Sequence, residues 1–271
     1  HGRTLATLAA TGQAHYHTLY QPLTPGFASF PAGDLAALKR LCADGTVAGV
    51  LIECIQGEGG VVPLDPDFAR EVRDAFAQTG MGCAVLGCYL NLACEGDEEA
   101  ERVREIYSAH LKFAALIGAV CVGTETPAAG GEGRACRTEA HFRLLMDRMR
   151  PLVQEAEDRG VTLAIEPVCT HILYDAAAAA RMLEEQRSEQ VKIILDAVNL
   201  LGPDTAGRAE EIIGDAIRLL GDRVSVLHMK DCMTAQGSVE ALPCGMGDMK
   251  YEALLSFAAE RNLPMTLENT A

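Results

Sequence analysis

Four short apolar runs in the C-terminal part of the chain each close on an acidic or imidazole side chain: VTLAIEP on Glu166, VKIILDAVN on Asp196, VSVLHMKD on His228 and PMTLEN on Glu268. They are rich in β-branched residues and lack strict alternation, which predicts strands buried on both faces of a parallel sheet. Helical patterns separate them, and the four end residues recur at intervals of 30, 32 and 40 residues, the rhythm of repeated strand–helix units. Two earlier runs, MGCAVLGCYLN and VCVGTET, extend the series. Six parallel strands are therefore expected, ending near Asn91, Glu125, Glu166, Asn199, Asp231 and Asn269. The helices between them are EGDEEAERVREIYSAHLKFAALIG, with an acidic first turn at the positive end of its dipole, TEAHFRLLMDRMRPLVQEAEDRG, with Thr138 as N-cap and Gly160 as stop, DAAAAARMLEEQ, RAEEIIGDAIRLLGD and YEALLSFAAERN.

In a closed (β/α)8 barrel the last residue of each strand points into the mouth at the C-terminal face. Four successive strands then deliver Glu166, Asp196, His228 and Glu268 to one place. A single carboxylate ending a buried strand serves as readily in an ion pair or cap. Four in register would repel one another without a cation. Carboxylates with one imidazole form a hard-to-borderline ligand set, suited to Mn²⁺, Mg²⁺, Co²⁺ or Zn²⁺ with positions left for substrate. Around that mouth, Glu125 at a strand tip is expected to meet substrate or to cap the rim, His171 in the loop after Glu166 to bond substrate or to pack the loop, and Lys230 just after His228 to attract an anionic or hydroxyl-rich substrate. His110 and His141 fall within helices and have no evident chemical partner. The Gly-rich PAAGGEGRACR segment suits a substrate-covering loop; it lacks the GKS or GKT of a phosphate cradle.

The N-terminal part reads differently. HGRTLATLAATGQ is a helix ended near Gly12, AHYHTLYQPLTPGF a looser segment, FASFP a short strand, DLAALKRLCADG a helix starting near Asp34, and TVAGVLIECIQ a strand. The GEGG that follows breaks the pattern, since Gly59 and Gly60 permit positive φ. DPDFAREVRDAFAQTG is a further helix. His15 and His17 have no carboxylate nearby and are not read as a metal pair.

Composition narrows the classes. The 271 residues suffice for one large α/β domain, and a formal charge of −15 argues against a nucleic-acid partner, which needs clustered Lys and Arg. There are ten cysteines but no CxxC pair, and several stand in apolar strands, so they read as small buried hydrophobes of a reducing, cytoplasmic protein. There is no apolar run of membrane-spanning length and no signal peptide; because the chain opens on His1, it reads as a fragment or trimmed chain, and this bears little on targeting.

The motifs IEP, LDxVN, HxKD, GMGDMKYEALL and LEN, with VLGCYLN (85–91) and VGTET (122–126), resemble the sugar phosphate isomerase/epimerase family with the xylose-isomerase-like TIM barrel, from about Cys83 to Ala271. Order and spacing agree as well as residue types. Asn199 departs from the DxxH of many relatives. The resemblance implies a metal held by Glu166, Asp196, His228 and Glu268, with Glu166 and Glu268 as the acid–base pair. A ketose or related polyol would then lose a proton next to its carbonyl, giving an enediolate that is reprotonated in epimerisation or isomerisation.

The segment from His1 to about Phe76 resembles another family. HGRTLATLAATG and LIECIQGEGGV are similar to class III pyridoxal-phosphate-dependent aminotransferases of the acetylornithine type. The resemblance implies that Arg3 matches the carboxylate-holding Arg and Glu53 the Glu of the ExxQGEGG motif, with Cys54 where Pro is usual. The strand-end aspartate that pairs with the cofactor and the Schiff-base lysine are missing: the lysines are at 39, 112, 192, 230 and 250, and none matches. Pyridoxal phosphate is not expected to bind.

The chain thus reads as two unrelated pieces, an aminotransferase-like fragment at 1–76 and an isomerase/epimerase-like domain at 77–271, with a seam between Pro63 and Gly82. The fold class is α/β, an incomplete or patched (β/α)8 TIM barrel whose first two strands are either lost or replaced by the N-terminal β-α-β run. The expected partner is a small sugar or polyol, with no nucleic acid and no membrane; a homo-oligomer is compatible with this. Three other readings stand beside the isomerase: an inactive hybrid, an aminotransferase fragment without its lysine, and an apurinic endonuclease, which would need more metal-binding histidines and a basic groove.

Overall fold

The computed structural model describes residues 5–43, 45–53, 55–56, 60, 62–80, 82–127, 133–235 and 238–268. Arg3, Cys54, Gly59, Asn269 and much of the Gly-rich loop lie outside these. The chain divides into two compact units, residues 1–81 and 82–271.

The first unit contains α1 (Leu5–Ala10), α2 (Ala14–Leu19), α3 (Leu35–Cys42), β1 (Ile55–Gln56), β2 (Val62–Pro63) and α4 (Pro66–Thr79). Its core is small: Leu38, Phe68 and Val72 are buried, with Phe30, Leu35, Ile52, Leu64 and Phe76 against them. Local capping follows the expected chemistry. The Asp34 carboxylate accepts from Ala37 N at 2.8 Å, and Asp65 accepts from Asp67 N and Phe68 N at 2.9 Å.

The β-α-β run expected here does not form among the described residues. FASFP has no strand, residues 46–53 have none, and Leu51 is 82% exposed. Only Ile55–Gln56 pairs, and it does so antiparallel with Val62–Pro63. A β-branched run becomes a strand only where a neighbour completes its ladder, so the apolar pattern overstated the strand. The looser segment, conversely, contains α2, a helix with no buried residue and hence no apolar stripe to reveal it.

The second unit is built on a six-stranded parallel sheet of β3 (Val85–Gly87), β4 (Cys121–Thr124), β5 (Leu163–Ile165), β6 (Val191–Asp196), β7 (Val224–Met229) and β10 (Met265–Leu267), in the order β10-β7-β6-β5-β4-β3. Between them run α5 (Asp97–Ile117), α6 (Glu139–Arg159), α7 (Ala176–Gln186), α8 (Ala209–Leu220) and α9 (Glu252–Arg261). All six strands are parallel, as expected, and the sheet ends at β3 and β10, so it is an incomplete barrel. Gly118 and Gly160 close α5 and α6 at φ 66° and 64°, the left-handed conformation that glycine adopts without steric cost.

Alternation along the strands separates two cores. Val122, Leu163, Ile165, Val191, Ile193, Leu195, Leu227 and Met229 join the large cluster under the helices, which supply Leu111, Leu145, Met149, Met182, Ile213 and Phe257. Cys121, Ala164, Ile194 and Val226, with Val85, form a second cluster on the opposite face. Gly123 belongs to this tight inner layer: a Cβ there would lie 2.6 Å from Val85 Cγ1 and 2.7 Å from Ile194 Cδ1.

Two features differ from the sequence pattern. The first strand stops at Gly87 rather than near Asn91, and its continuation is held by the buried Tyr107 hydroxyl, 2.6 Å from Cys88 O and 2.8 Å from Leu90 O. After β7 an antiparallel hairpin follows, β8 (Asp231–Ala235) with β9 (Ser238–Leu242), which the strand–helix rhythm did not predict.

Candidate metal centre

Period-two alternation aims the site residues. Ala164, Ile194 and Val226 fill the inner layer, so Glu166, Asp196 and His228, each two residues further on, emerge on the same face at the next level. Asp196 and His228 are direct neighbours in the ladder, and His228 pairs with Thr266, two residues before Glu268. Glu166, Asp196, His228 and Lys230 are all buried, while Glu268 retains about a third of its side-chain exposure.

The His228 Nδ1 lies 2.9 Å from Glu166 Oε2 and 3.0 Å from Glu268 Oε1. These three side chains each offer a donor atom within 4.8 Å of the others. Asp196 is held differently: its Oδ1 accepts from Val198 N at 2.9 Å and Asn199 N at 3.1 Å, and its Oδ2 faces Lys230 Nζ at 3.0 Å. Lys230 Nζ also reaches Glu268 Oε2 at 2.6 Å. The structure thus gathers three of the expected metal donors into one group, with the fourth joined to it through Lys230.

The donor set fits a divalent ion. Glu166 Oε2, Asp196 Oδ2 and His228 Nδ1 are buried and within ion-pair distance of their neighbours, yet none has the alignment of a hydrogen bond. The 2.9 and 3.0 Å separations match the ~3 Å between adjacent oxygen or nitrogen ligands of an octahedral ion bound at ~2.1 Å. Glu166 Oε2 and His228 Nδ1, buried without an aligned hydrogen bond and 2.9 Å apart, are a pair that a cation would complete.

Electrostatics report the same crowding. Burial opposes charge on His228, but the adjoining Glu166 and Glu268 outweigh it and push its pKa up to about 10. His228, then Lys230, holds Glu268 down to about 2 against burial. Burial and the neighbouring Glu166 raise Asp196 to about 6. For Lys230, burial would lower the value, but Asp196 and Glu268 drive it above the ordinary range.

Of the residues expected to meet substrate, Lys230 is inside this network. Glu125 and His171 stand beside each other, with Glu125 Oε2 3.7 Å from His171 Nδ1, and burial, then Glu166, raises Glu125 to about 7. His110 and His141 make local helix contacts, to Ile106 O and Thr138 Oγ1.

Three further residues take roles that the sequence reading did not assign. Asn199 donates from Nδ2 to Glu166 Oε1 at 2.5 Å and accepts at Oδ1 from Lys230 Nζ at 3.1 Å. Its place three residues after Asp196, where many relatives carry the His of DxxH, was the signal. Burial first, and then the charges of Glu166, Glu268 and Glu125, push the Tyr89 phenol above its ordinary range. Asp231 anchors the loop after β9, accepting from Cys232 N, Met249 N and Gly245 N at 2.8 to 2.9 Å. Gly247 permits this wrap, because a Cβ there would sit 2.6 Å from Asp231 Oδ1 and against Cys232 O.

Comparison with known proteins finds two families along the chain, whose matches overlap over residues 48–81. Residues 1–81 match the class-III aminotransferase family. The acetylornithine aminotransferase of Gloeobacter violaceus is 37% identical over 185 residues, 60% of this chain and 44% of that protein, so the chain spans less than half the length of this relative. Among solved structures, the 3-keto-D-glucoside 4-epimerase YcjR from E. coli superposes with a TM-score of 0.60 at 18% identity, covering 91% of each chain. The IOLI protein with a bound zinc atom superposes with a TM-score of 0.55 at 13% identity, over 74% of this chain and 73% of that one. At these identities the likeness concerns the fold. Residues 48–270 match the xylose isomerase-like TIM barrel, and on that match, together with the parallel sheet and its strand-end residues, the chain belongs to the xylose isomerase-like TIM barrel family.

Proposed function

We propose that this protein is a metal-dependent sugar isomerase or epimerase, acting by proton transfer through an enediolate on a ketose, sugar phosphate or related polyol. The observation that carries this is the meeting of Glu166 Oε2, His228 Nδ1 and Glu268 Oε1 within 3.0 Å of the imidazole, at the strand ends. Glu166, His228 and Glu268, with Asp196 once released by Lys230, would hold a divalent ion such as Mn²⁺, Mg²⁺, Co²⁺ or Zn²⁺. When bound, that ion supplies Lewis-acid polarisation of a carbonyl. One of the two glutamates takes the proton next to the carbonyl and the other returns one, at the opposite face for epimerisation or at the neighbouring carbon for isomerisation. Glu125, His171 and Lys230 bind the substrate hydroxyls, and the raised pKa of Glu125 lets it donate as well as accept. The superposition on a sugar epimerase and on a zinc-holding relative supports this reading.

The residues at 1–76 are on this reading an aminotransferase-like fragment joined to the barrel domain at 77–271, and they contribute no cofactor chemistry. The nine described cysteines are free thiols, which supports a reducing, cytoplasmic setting. No helix among the described residues is long and apolar enough to cross a membrane.

A second reading, an inactive hybrid, draws on the open sheet, whose end strand β10 leaves Met265 49% and Leu267 80% exposed. Ketoses and inososes incubated in D₂O with Mn²⁺ or Mg²⁺ and followed by NMR separate the two. Solvent deuterium entering a substrate C–H supports the isomerase. No exchange with any substrate, in folded protein that binds the metal, favours the hybrid. Glu268→Gln is expected to retain the metal and lose exchange; Asp196→Asn is expected to weaken the metal itself.

A further inference from the structure

Asn199 is a neutral side chain that joins the anionic and cationic halves of the centre. Its Nδ2 donates to Glu166 Oε1 at 2.5 Å, and its Oδ1 accepts from Lys230 Nζ at 3.1 Å. A carboxamide is a donor at one end and an acceptor at the other, and the two partners fix which way it points, because an ammonium only donates and a carboxylate only accepts. The main chain beneath it is also anchored, since Asn199 N donates to Asp196 Oδ1 at 3.1 Å. With Oε1 of Glu166 occupied by the amide, the other oxygen, Oε2, is the one turned towards His228 Nδ1. With Lys230 tethered at Asn199, its ammonium stays between Asp196 Oδ2 and Glu268 Oε2.

We infer that Asn199 is a positioning residue for the metal centre: it aims Glu166 Oε2 into the three-donor group and holds Lys230 between Asp196 and Glu268. The inference rests on the proposed metal-binding role of Glu166, His228 and Glu268. Neither hydrophobic nor acidic side chains can replace the amide. Leucine fills the volume without either bond, and aspartate can accept from Lys230 but presents a second carboxylate to Glu166. Groups that orient a metal ligand from behind in this way typically carry about 10- to 100-fold in metal affinity.

Two measurements on the full chain test this. In metal-free protein, ¹⁵N NMR should show the side-chain amide protons of Asn199 exchanging with solvent at least about tenfold more slowly than those of the exposed Asn262, and the slowing should vanish in Glu166→Ala. Exchange as fast as that of Asn262 overturns the inference whatever the metal does. Mn²⁺ binding, read by electron paramagnetic resonance, should weaken about 10- to 100-fold in Asn199→Leu and in Asn199→Asp, but change less than about threefold when the same replacement is added to Glu166→Gln. Equal losses in both backgrounds mean a general structural role and also overturn it. Should the leucine variant fail to fold, the near-isosteric aspartate variant carries the comparison. A protected Asn199 amide in a protein that binds no Mn²⁺ would leave the amide bridge standing and refute the metal reading alone.

Discussion

Lys230 closes on Asp196 with its Nζ 3.0 Å from Oδ2, and both side chains are buried, so a cationic amine neutralises the carboxylate that the strand-end pattern nominates as a metal ligand. The same amine reaches Glu268 at 2.6 Å. Charge balance at this mouth is therefore kept by Lys230 and His228, and an added ion enters a network already in equilibrium with two protein cations.

Replacing Lys230 by Met breaks a buried pair and leaves Asp196 uncompensated. Metal-free protein should lose about 3 to 5 kcal/mol in urea denaturation. Mn²⁺ should then raise the melting temperature of the variant more than that of the parent, because Asp196 is free to ligate. A variant as stable as the parent without metal would contradict the pairing.

The pH dependence of metal-free stability follows from His228. Its folded pKa, about 10, lies above the ordinary 6.5, so the folded state holds the proton more tightly than the unfolded state. The associated stability is complete below pH 6.5 and is lost as the pH rises through 10. Urea midpoints at pH 6, 8 and 10 should fall in that order, and His228→Gln should flatten the trend. Metal binding runs the other way, since a ligating imidazole must be neutral; uptake of Mn²⁺ near pH 8 should release a proton, measurable in weakly buffered solution.

Gly123 has no room for a methyl group between Val85 and Ile194. Gly123→Ala should destabilise the barrel domain by about 1 to 3 kcal/mol by overpacking, and Val85→Ala in the same chain should recover part of that loss. Thermal melts of the single and double variants check it.

Asp231 ties the loop after β9 through the backbone amides of Gly245 and Met249. Asp231→Ala leaves those donors without their acceptor, at a cost of about 1 to 3 kcal/mol. Hydrogen exchange at Gly245 and Met249 should accelerate strongly, while amides in β5 and β6 keep their protection.

The aminotransferase-like segment lacks the aspartate and lysine that hold and bond pyridoxal phosphate. Borohydride reduction after incubation with the cofactor should leave the protein mass unchanged. A stable pyridoxyl adduct on one lysine would refute this.

Much of the second unit was legible because burial on two faces demands apolar strands, and the chain marks each strand end with a polar residue that the core cannot hold. Glu166, Asp196, His228 and Glu268 could be named from that rule, as could the capping at Thr138 and Gly160. The first unit shows the limit: TVAGVLIECIQ has strand composition, yet hydrogen bonding is a property of pairs, and among its described residues only Ile55–Gln56 pair in a ladder. Local pattern likewise says nothing of which buried charge faces which. That Asp196 meets Lys230, that Asn199 bridges Glu166 and Lys230, and that Asp231 turns away to hold the 245–249 loop depend on groups 14 to 34 residues apart in the chain. Periodicity determined which side chains emerge at the mouth; only the assembled sheet decided how their charges are shared, because electrostatic partners are set by distance in space.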